Sequence, residues 1–288
     1  MGISGKKNFN HSWEEAIEIL RRDPACQELI VDSYLTSDLL ENCVRFSKGE
    51  EFAEVLRILE RCARGKRCLL DVPSGNGIAS YSFAKVGFQV TAVEPNSSNS
   101  VGRGAVAYVL GVSGTRADIV GGLGEKLPFA SESFDIVYVR QGLHHASDLF
   151  CMMAEIARVL RPAGIMLACR EHVVDNYGTS LKKFLDSQVD HQLYGGENAF
   201  TLPDYMHAIT YAQLEVVDVY GPYDSPINMY PNDAESLREK ILASGPGRTL
   251  RLFLPNDMVV RFGMWRLRRM KAPGRLFTFV ARKPKVGV

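Results

Sequence analysis

The sequence lacks several features that would place a chain in a class at once. No apolar stretch approaches the roughly 20 residues that a membrane-spanning helix needs, and neither an internal repeat nor a low-complexity segment is present. The charges nearly cancel, since 34 lysines and arginines face 33 aspartates and glutamates. We therefore expect neither a membrane nor a nucleic acid as a partner, because no spanning segment and no basic field would hold one.

Cysteine is scarce and unpatterned. The 6 cysteines include no C-x-x-C pair, and no secretory signal peptide precedes them, so neither a disulfide framework nor a cysteine zinc site is indicated. We expect a reduced chain in the cytoplasm. With 288 residues, 46% of them hydrophobic, the chain can form one large domain or one domain with a cap. Its oligomeric state is left open.

The first 65 residues have a helical pattern. Ser12 and Glu15 form a capping-box pair ahead of a helical run of apolar residues, and Ser47 with Glu50 repeats that signal. Gly65 then suits a helix C-terminus. We predict that residues 1–65 are a helical extension or lid.

From residue 66 onward, short apolar runs alternate with helical patterns, which is typical of a parallel α/β sheet. We predict a Rossmann-like, doubly wound, seven-stranded and mostly parallel sheet in a domain that spans residues 66–288. The predicted strands are Arg67–Val72, Gln89–Glu94, Thr115–Val120, Phe134–Val139, Ile165–Arg170, Leu214–Tyr220 and Arg275–Ala281. The predicted helices are Gly77–Val86, Ser97–Leu110, Ser147–Leu160 and Pro203–Ala212.

Two long stretches, at about 171–200 and 223–273, interrupt this alternation. Open α/β sheets bind their ligands outside the carboxyl ends of the strands. We therefore expect both insertions to cap that edge and to shape a pocket there.

The stretch "LLDVPSGNG", from Leu69 to Gly77, predicts a buried strand that breaks into a glycine turn. One interpretation is a dinucleotide fold, in which G-x-G-x-x-G cradles a pyrophosphate, but Pro73 and Ser80 stand where that motif favours glycine. The other is S-adenosylmethionine, which has no pyrophosphate. It needs a close backbone approach, an acid near its ammonium group and an acid for its ribose diol. Asp71 and Glu94 are placed for those two roles.

The region behind the turn contains further motifs in a fixed order. They are Leu127-Pro128-Phe129, Phe134-Asp135, His144-His145 and the run "EIARVLRPAG" from Glu155 to Gly164. Together with the glycine turn and Glu94, they resemble the class I S-adenosylmethionine-dependent methyltransferases, and most closely the ubiquinone and menaquinone branch. The resemblance covers about residues 66–170 and the last two strands.

The resemblance implies S-adenosylmethionine as cofactor and a set of residues that bind it. These are Asp71, Pro73, Gly75, Gly77, Glu94, Pro95, Asn96, Glu125, Arg140 and Gln141. Two departures stand out. Pro73 replaces the first glycine of the family turn, and the residue that often reads the adenine amino group, just before Glu125, is leucine or glycine here. A proline removes one backbone N–H group. S-adenosylmethionine has no phosphate and does not need that hydrogen bond.

The acceptor half of the site is predicted from polar and aromatic residues near the strand ends. His172 is the leading general base, and His144 and His145 are further catalytic candidates, because histidine exchanges protons near neutral pH. The candidates for acceptor binding in the two insertions are His191, Tyr194, Glu197, Tyr223 and Asn228. Asp175, Asp190, His172 and His191 show no spacing typical of metal ligands, so we predict no metal.

The sequence therefore predicts an S-adenosylmethionine-dependent methyltransferase for a small-molecule or glycan-type acceptor, with oxygen favoured because histidines cluster at the strand ends. C-methylation of a quinone-like acceptor or another natural product is the alternative. A nicotinamide oxidoreductase and a non-catalytic donor-binding protein are remoter ones. A nucleic-acid amino-methyltransferase is disfavoured, because "RQGLHH" stands where that group carries (N/D)PP(Y/F).

Overall fold

The computed structural model describes residues 11–285. The first ten residues of the predicted extension and the last three of the predicted domain lie outside the described residues. Among those described, no helix combines the length and the apolar character that crossing a membrane requires.

The centre of the structure is one sheet whose main path contains seven strands in the order β3-β2-β1-β4-β5-β8-β7. The strands are β1 (Cys68–Asp71), β2 (Gln89–Val93), β3 (Asp118–Val120), β4 (Phe134–Arg140), β5 (Leu160–Val174), β6 (Phe200–Thr201), β7 (Glu215–Tyr220) and β8 (Arg275–Arg282). The short β6 pairs with β5 off this path. β8 runs antiparallel to β5 and β7, and the other pairs are parallel. The predicted Rossmann-like, mostly parallel sheet is confirmed.

Both faces of the sheet are buried, which explains why its strands are continuous apolar runs. Successive residues of a strand point to opposite faces. The helices are α1 (Trp13–Arg22), α2 (Gln27–Asp32), α3 (Leu39–Lys48), α4 (Glu50–Cys62), α5 (Ile78–Lys85), α6 (Arg103–Ser113), α7 (Leu149–Val159), α8 (Thr179–Ser187), α9 (Val189–Tyr194), α10 (Leu202–Tyr211), α11 (Ala234–Ala243), α12 (Gly245–Leu250) and α13 (Asn256–Arg269). Leu69 packs in one hydrophobic cluster with α3 to α6, whereas Leu70 packs in a second with α7 and α10.

The predicted capping boxes had different outcomes. At α1, Ser12 and Glu15 form the full capping box, as predicted. At α4 the prediction was wrong: the N-cap is Gly49, without a side-chain cap, and the Ser47 hydroxyl donates instead to the Val44 carbonyl of the preceding helix. α3 runs on to Lys48, so only one residue separates the two helices and Ser47 is still helical.

Three predicted elements have clearly different bounds, and one of them is β3, which begins at Asp118 and not at Thr115. α6 begins at Arg103, not Ser97, because the intervening residues form a loop that the Arg103 amide closes by donating to the Asn96 carbonyl at 2.8 Å. β5 begins at Leu160, five residues before the predicted start, because Leu160 pairs with Phe134 of β4. It continues to Val174, four residues beyond the predicted end, because its second half pairs with Arg275–Phe277 of β8 after a register shift. The first insertion therefore begins after Val174.

A buried ion pair joins the N-terminal helices to the sheet. Arg140, at the end of β4, donates two hydrogen bonds to the carboxylate of Glu51 on α4, at 2.7 and 3.0 Å. Its guanidinium also lies over the rings of Tyr34 and Phe46. The side chains of Arg140 and Glu51 are only 10% and 1% exposed, so each charge depends on the other.

We predict that Glu51→Gln lowers the free energy of unfolding by about 3–5 kcal/mol, because it leaves the buried Arg140 charge without a counter-charge. Urea unfolding measures the change. The matched control is Asp218→Asn, which removes the counter-charge from the largely exposed Arg61. That change should cost less than about 1 kcal/mol. Equal losses in the two variants would show that Glu51 does not fasten the helices to the sheet.

Candidate functional site

A cavity of about 670 Å³ opens at the carboxyl ends of β1, β2, β4 and β5. This is the edge at which open α/β sheets bind ligands. Its wall includes the turn after β1, the loop after β2, the segment after β4, and residues of α1, α2 and α9. The residues of the wall that were predicted as site residues are Asp71, Pro73, Gly75, Glu94, Pro95, Asn96, Arg140, Gln141, His144, His145, His172, Tyr194 and Glu197.

The turn after β1 depends on two glycines. Gly75 and Gly77 have φ angles of +53° and +90°, which side chains rarely adopt. A Cβ atom on Gly77 would also lie 3.3 Å from Val106 on α6, whereas around Gly75 a Cβ would meet open space. The chain can therefore bend closely around a ligand at Gly75. The buried Ser74 hydroxyl has no hydrogen-bond partner within residues 11–285, so it is available to a ligand.

The structure explains the proline in this turn. A Cβ atom on Gly142, the second residue after β4, would lie only 2.3 Å from Pro73 Cδ, so the proline ring fills the space over that glycine. Pro73 thereby packs the turn after β1 against the segment after β4. A glycine at this position has no side chain and could not make that contact.

Glu94 lies at the end of β2 and faces the cavity. One of its carboxylate oxygens accepts from the Gly75 amide at 2.9 Å, and the other accepts from the Asn96 amide at 3.0 Å. Each oxygen keeps a lone pair for a further donor. Burial raises the pKa of Glu94, although the two amide hydrogen bonds oppose that shift. The arrangement suits a ligand that offers paired hydroxyl groups.

Asp71 ends β1 and is almost fully buried. Its carboxylate accepts from the Ser80 hydroxyl at 2.5 Å. Burial raises its pKa to about 7, with Glu94 adding to the shift, whereas the Ser80 hydrogen bond and Arg140 oppose it. A cationic group of a ligand would stabilise the ionised form of a carboxyl group that is shielded from water in this way.

These groups fit S-adenosylmethionine. Glu94 offers two acceptors for a ribose diol, Asp71 offers an anion for an ammonium group, and the free Ser74 hydroxyl and the open space at Gly75 allow close backbone contact. The turn builds no phosphate cradle, because Pro73 has no amide to donate.

The guanidinium of Arg140 already has hydrogen-bond partners within the protein. Besides Glu51, its guanidinium donates to the Gln141 side-chain oxygen at 3.0 Å. Gln141 itself has a φ of +49°, and its amide donates to the Cys169 carbonyl of β5. Both residues line the cavity, so their contact with a donor carboxylate stays a prediction.

A buried carboxylate that the sequence did not reveal arranges the histidines. Glu171, on β5, accepts from the Gly142 amide and the His144 amide, both at 3.0 Å. It also contacts His144 Nδ1 at 2.8 Å. A carboxylate accepts hydrogen bonds, so His144 carries its proton on Nδ1 and leaves Nε2 as an acceptor. Val173 and Val174 resume the apolar run of the strand, and this pattern could have indicated that β5 extends through Glu171.

The three predicted catalytic histidines meet in one cluster. The His144 ring lies 4.2 Å from that of His145 and 4.8 Å from that of His172, measured between ring centroids. His172 Nδ1 lies 2.9 Å from the Gly274 carbonyl. A carbonyl oxygen accepts hydrogen bonds, so Nδ1 carries the proton and Nε2 is left as an acceptor. Burial lowers the pKa of both His144 and His172, the latter to about 3, so these two rings are neutral.

The first insertion completes the cavity wall on this side. Glu197 lies 3.7 Å from Nε2 of both His144 and His145, and the Tyr194 hydroxyl lies 3.3 Å from it. Burial raises the pKa of Glu197 to about 7. Trp13 on α1 contacts the Tyr194 ring at 4.6 Å between centroids, so the N-terminal helices and the insertion close over the same space.

Five predicted site residues are not among those that line the cavity, and one of them, Gly77, still lies in the turn after β1. Glu125 accepts from the Ser147 amide at 2.8 Å, ahead of α7, and is not part of the cavity wall. Tyr223 and Asn228 line a separate cleft of about 240 Å³ beside β8, where Asn228 donates to the Tyr220 and Gly221 carbonyls. His191 lies on α9, half-buried, and its amide contacts the Asp190 carboxylate.

Sequence comparison places the matched region at this sheet. Residues 70–168 match the family model of a methyltransferase domain. An uncharacterized methyltransferase of Bacillus subtilis, YcgJ, is 30% identical over 146 residues, which are 51% of this chain and 54% of that protein. A ubiquinone biosynthesis O-methyltransferase of Rhizobium leguminosarum is 28% identical over 134 residues, or 46% and 48% of the two chains. The chain thus spans about half the length of the curated relatives it matches.

Solved structures share the fold over a longer stretch. Geranyl diphosphate methyltransferase, in a complex with geranyl diphosphate and sinefungin, aligns with a TM-score of 0.57 at 15% identity and covers 94% of this chain and 98% of its own. The [4+2]-cyclase SpnF aligns with a TM-score of 0.54 at 19% identity and covers 81% of each chain. At such identities the likeness shows the fold. The family match identifies residues 70–168 as a methyltransferase domain, and the fold and the groups around the cavity fit the class I, S-adenosylmethionine-dependent type.

Proposed function

We propose that this protein transfers the methyl group of S-adenosylmethionine to an oxygen atom of a small-molecule acceptor. The observation that carries the proposal is that one cavity contains both the donor-binding groups and a cluster of histidines with a carboxylate. Glu94 and the turn at Gly75 form one side, and His144, His172 and Glu197 form the other.

S-adenosylmethionine supplies an activated methyl group on a sulfonium. The residues of this chain would supply alignment, which is the main requirement of a direct displacement. Glu94 and Asp71 would fix the nucleoside and amino-acid ends of the donor, so that the methyl group faces the histidine side. His144 and His172, both neutral and held through Nδ1, would present Nε2 as an acceptor to a hydroxyl group.

The walls of the cavity support a small acceptor. Trp13 and Tyr194 both line the cavity and their rings are in contact, and the insertion that carries Tyr194 and Glu197 forms one wall. We propose that residues 1–65 act as a lid over the domain formed by residues 66–288. The Ser100 hydroxyl, which donates to Glu14 of α1 at 3.2 Å, and the Asn76 side chain, which donates to the Tyr34 carbonyl at 2.7 Å, support that arrangement.

Oxygen is favoured over carbon as the acceptor atom because polar groups surround the transfer point. Relatives named as ubiquinone biosynthesis O-methyltransferases agree with oxygen. Methylation of carbon on a quinone-like acceptor stays the alternative. A neighbour named as a cyclase shows that the fold alone does not decide the reaction, so transfer itself has to be measured.

We predict that Glu94→Ala weakens the binding of S-adenosylhomocysteine by roughly 10- to 100-fold, because it removes charge-assisted hydrogen bonds to the ribose. Isothermal titration calorimetry gives the dissociation constant. Glu60→Ala, on the exposed face of α4, is the control and should bind as the wild type does. Unchanged affinity in a folded Glu94→Ala protein would remove Glu94 from the donor site, and binding of NAD alone would refute the proposed cofactor.

We predict that donor affinity depends on pH through Asp71. Its carboxyl, with a pKa of about 7, is mostly ionised above pH 7 and mostly protonated below it. An ionised carboxylate attracts the ammonium group of the donor, so affinity should fall as the pH drops from 7.5 to 6.0. Glu94 and Arg140, the charged groups nearby, contribute in both proteins, so Asp71→Asn should flatten this dependence. The same slope in the wild type and the variant would contradict the role of Asp71.

We predict that His172→Asn reduces methyl transfer by roughly 10²- to 10⁴-fold while S-adenosylhomocysteine affinity stays within about twofold, because His172 faces the acceptor and not the donor. Donor with a tritiated methyl group, incubated with catechols, phenols and quinols, measures transfer, and mass spectrometry of the product separates O-methyl from C-methyl. His207→Asn, on the exposed side of α10, is the control. Wild-type transfer by His172→Asn would exclude His172.

A further inference from the structure

The histidine cluster has the composition of a metal site. His144, His172 and Glu197 each offer one ligand atom, and these atoms lie within 4.8 Å of one another. Two imidazole nitrogens and one carboxylate are a donor set that first-row divalent cations prefer. We propose that these three residues bind one divalent transition-metal cation, of the type of Zn²⁺ or Fe²⁺, in the acceptor half of the cavity.

The hydrogen bonds around the ligands support this proposal. Metal-bound histidines usually donate their second ring N–H to a carboxylate or to a backbone carbonyl. His144 does so to Glu171 at 2.8 Å, and His172 does so to the Gly274 carbonyl at 2.9 Å. Both rings therefore have Nε2 free for a cation. Binding of an acceptor hydroxyl alone would not require both histidines to be held through Nδ1.

The local charge points in the same direction. Glu171 and Glu197 are buried carboxylates, and among the ion pairs of residues 11–285 each pairs only with histidine. Asp190 lies on the same cavity wall. A divalent cation would supply the missing counter-charge.

The geometry allows a cation after a small movement. A cation about 2.0–2.2 Å from each ligand needs ligand atoms roughly 3–3.5 Å apart. His144 Nε2 and Glu197 Oε2 are 3.7 Å apart, and the ligand atoms all lie within 4.8 Å of one another. A pair that is 4.8 Å apart must therefore approach by about 1.3–1.8 Å. Glu197 follows α9 in a segment outside helix and strand, so it can move. Three protein ligands leave coordination positions open toward the cavity, as in catalytic sites.

The role of the cation, unlike its binding, rests on the proposed function. An acceptor hydroxyl bound at an open position would have a lowered pKa and would lose its proton to solvent. The oxygen would then form the new O–CH₃ bond while the S–CH₃ bond breaks, and sulfur would keep the bonding electron pair. In the metal-bound protein the cation, and not a direct hydrogen bond to His172 Nε2, would hold the acceptor oxygen.

Metal binding is tested without catalysis. Tag-free protein is stripped with a chelator, dialysed and titrated with Co²⁺, whose visible absorption reports coordination, and with Zn²⁺ by calorimetry. We expect one cation per chain, and at least 100-fold weaker binding in Glu197→Gln and His172→Asn. His207→Asn is the control for binding to surface histidines and should keep wild-type affinity.

Two results would overturn the proposal. One is the absence of stoichiometric binding by the stripped wild-type protein, and the other is wild-type affinity in a folded Glu197→Gln variant. Should His172→Asn fail to fold, Glu197→Gln decides, because its residue lies in a loop. Cation binding without methyl transfer would uphold this site and refute the proposed function, whereas methyl transfer by a wild-type protein that binds no cation on titration would uphold the function and refute the site.

Discussion

The buried carboxylate of Glu171 is the contact on which the arrangement of the site depends. It accepts the amides of Gly142 and His144 and contacts the His144 ring, so it fixes the segment after β4 against β5. Pro73 packs on Gly142 and thereby attaches the turn after β1 to the same segment. A carboxylate taken out of water is costly unless donors satisfy it, and here backbone amides do so. Its loss would disturb both halves of the cavity.

A second buried charge pair extends this arrangement to the N-terminal helices. Arg140 and Glu51 join β4 to α4, and the Asn76 side chain joins the turn after β1 to the Tyr34 carbonyl. The helices are thus fastened to the carboxyl edge of the sheet by polar contacts in a largely apolar layer. Such contacts add directional specificity to hydrophobic packing, which has none of its own.

The sequence was informative where chemistry follows from local order. Parallel strands bring their carboxyl ends to one edge, so Asp71, Glu94 and His144 could be placed together from strand positions alone. Long-range partners could not be read in this way: Glu51 looks like an ordinary residue at a helix start, yet it pairs with Arg140. The same holds for the ligands of the proposed metal site, which lie between positions 144 and 197 on three different segments and show no local spacing. Glu125 and Asn228 illustrate the opposite case, in which residues chosen by motif or composition have structural partners outside the cavity.

A crystal structure with S-adenosylhomocysteine bound would show whether one cavity brings the donor to the histidine cluster. We expect both ribose hydroxyls within hydrogen-bond distance of the Glu94 carboxylate and the sulfur atom facing His144 and His172. A ligand bound at the cavity with its sulfur directed away from those histidines, or a ligand bound elsewhere, would contradict it.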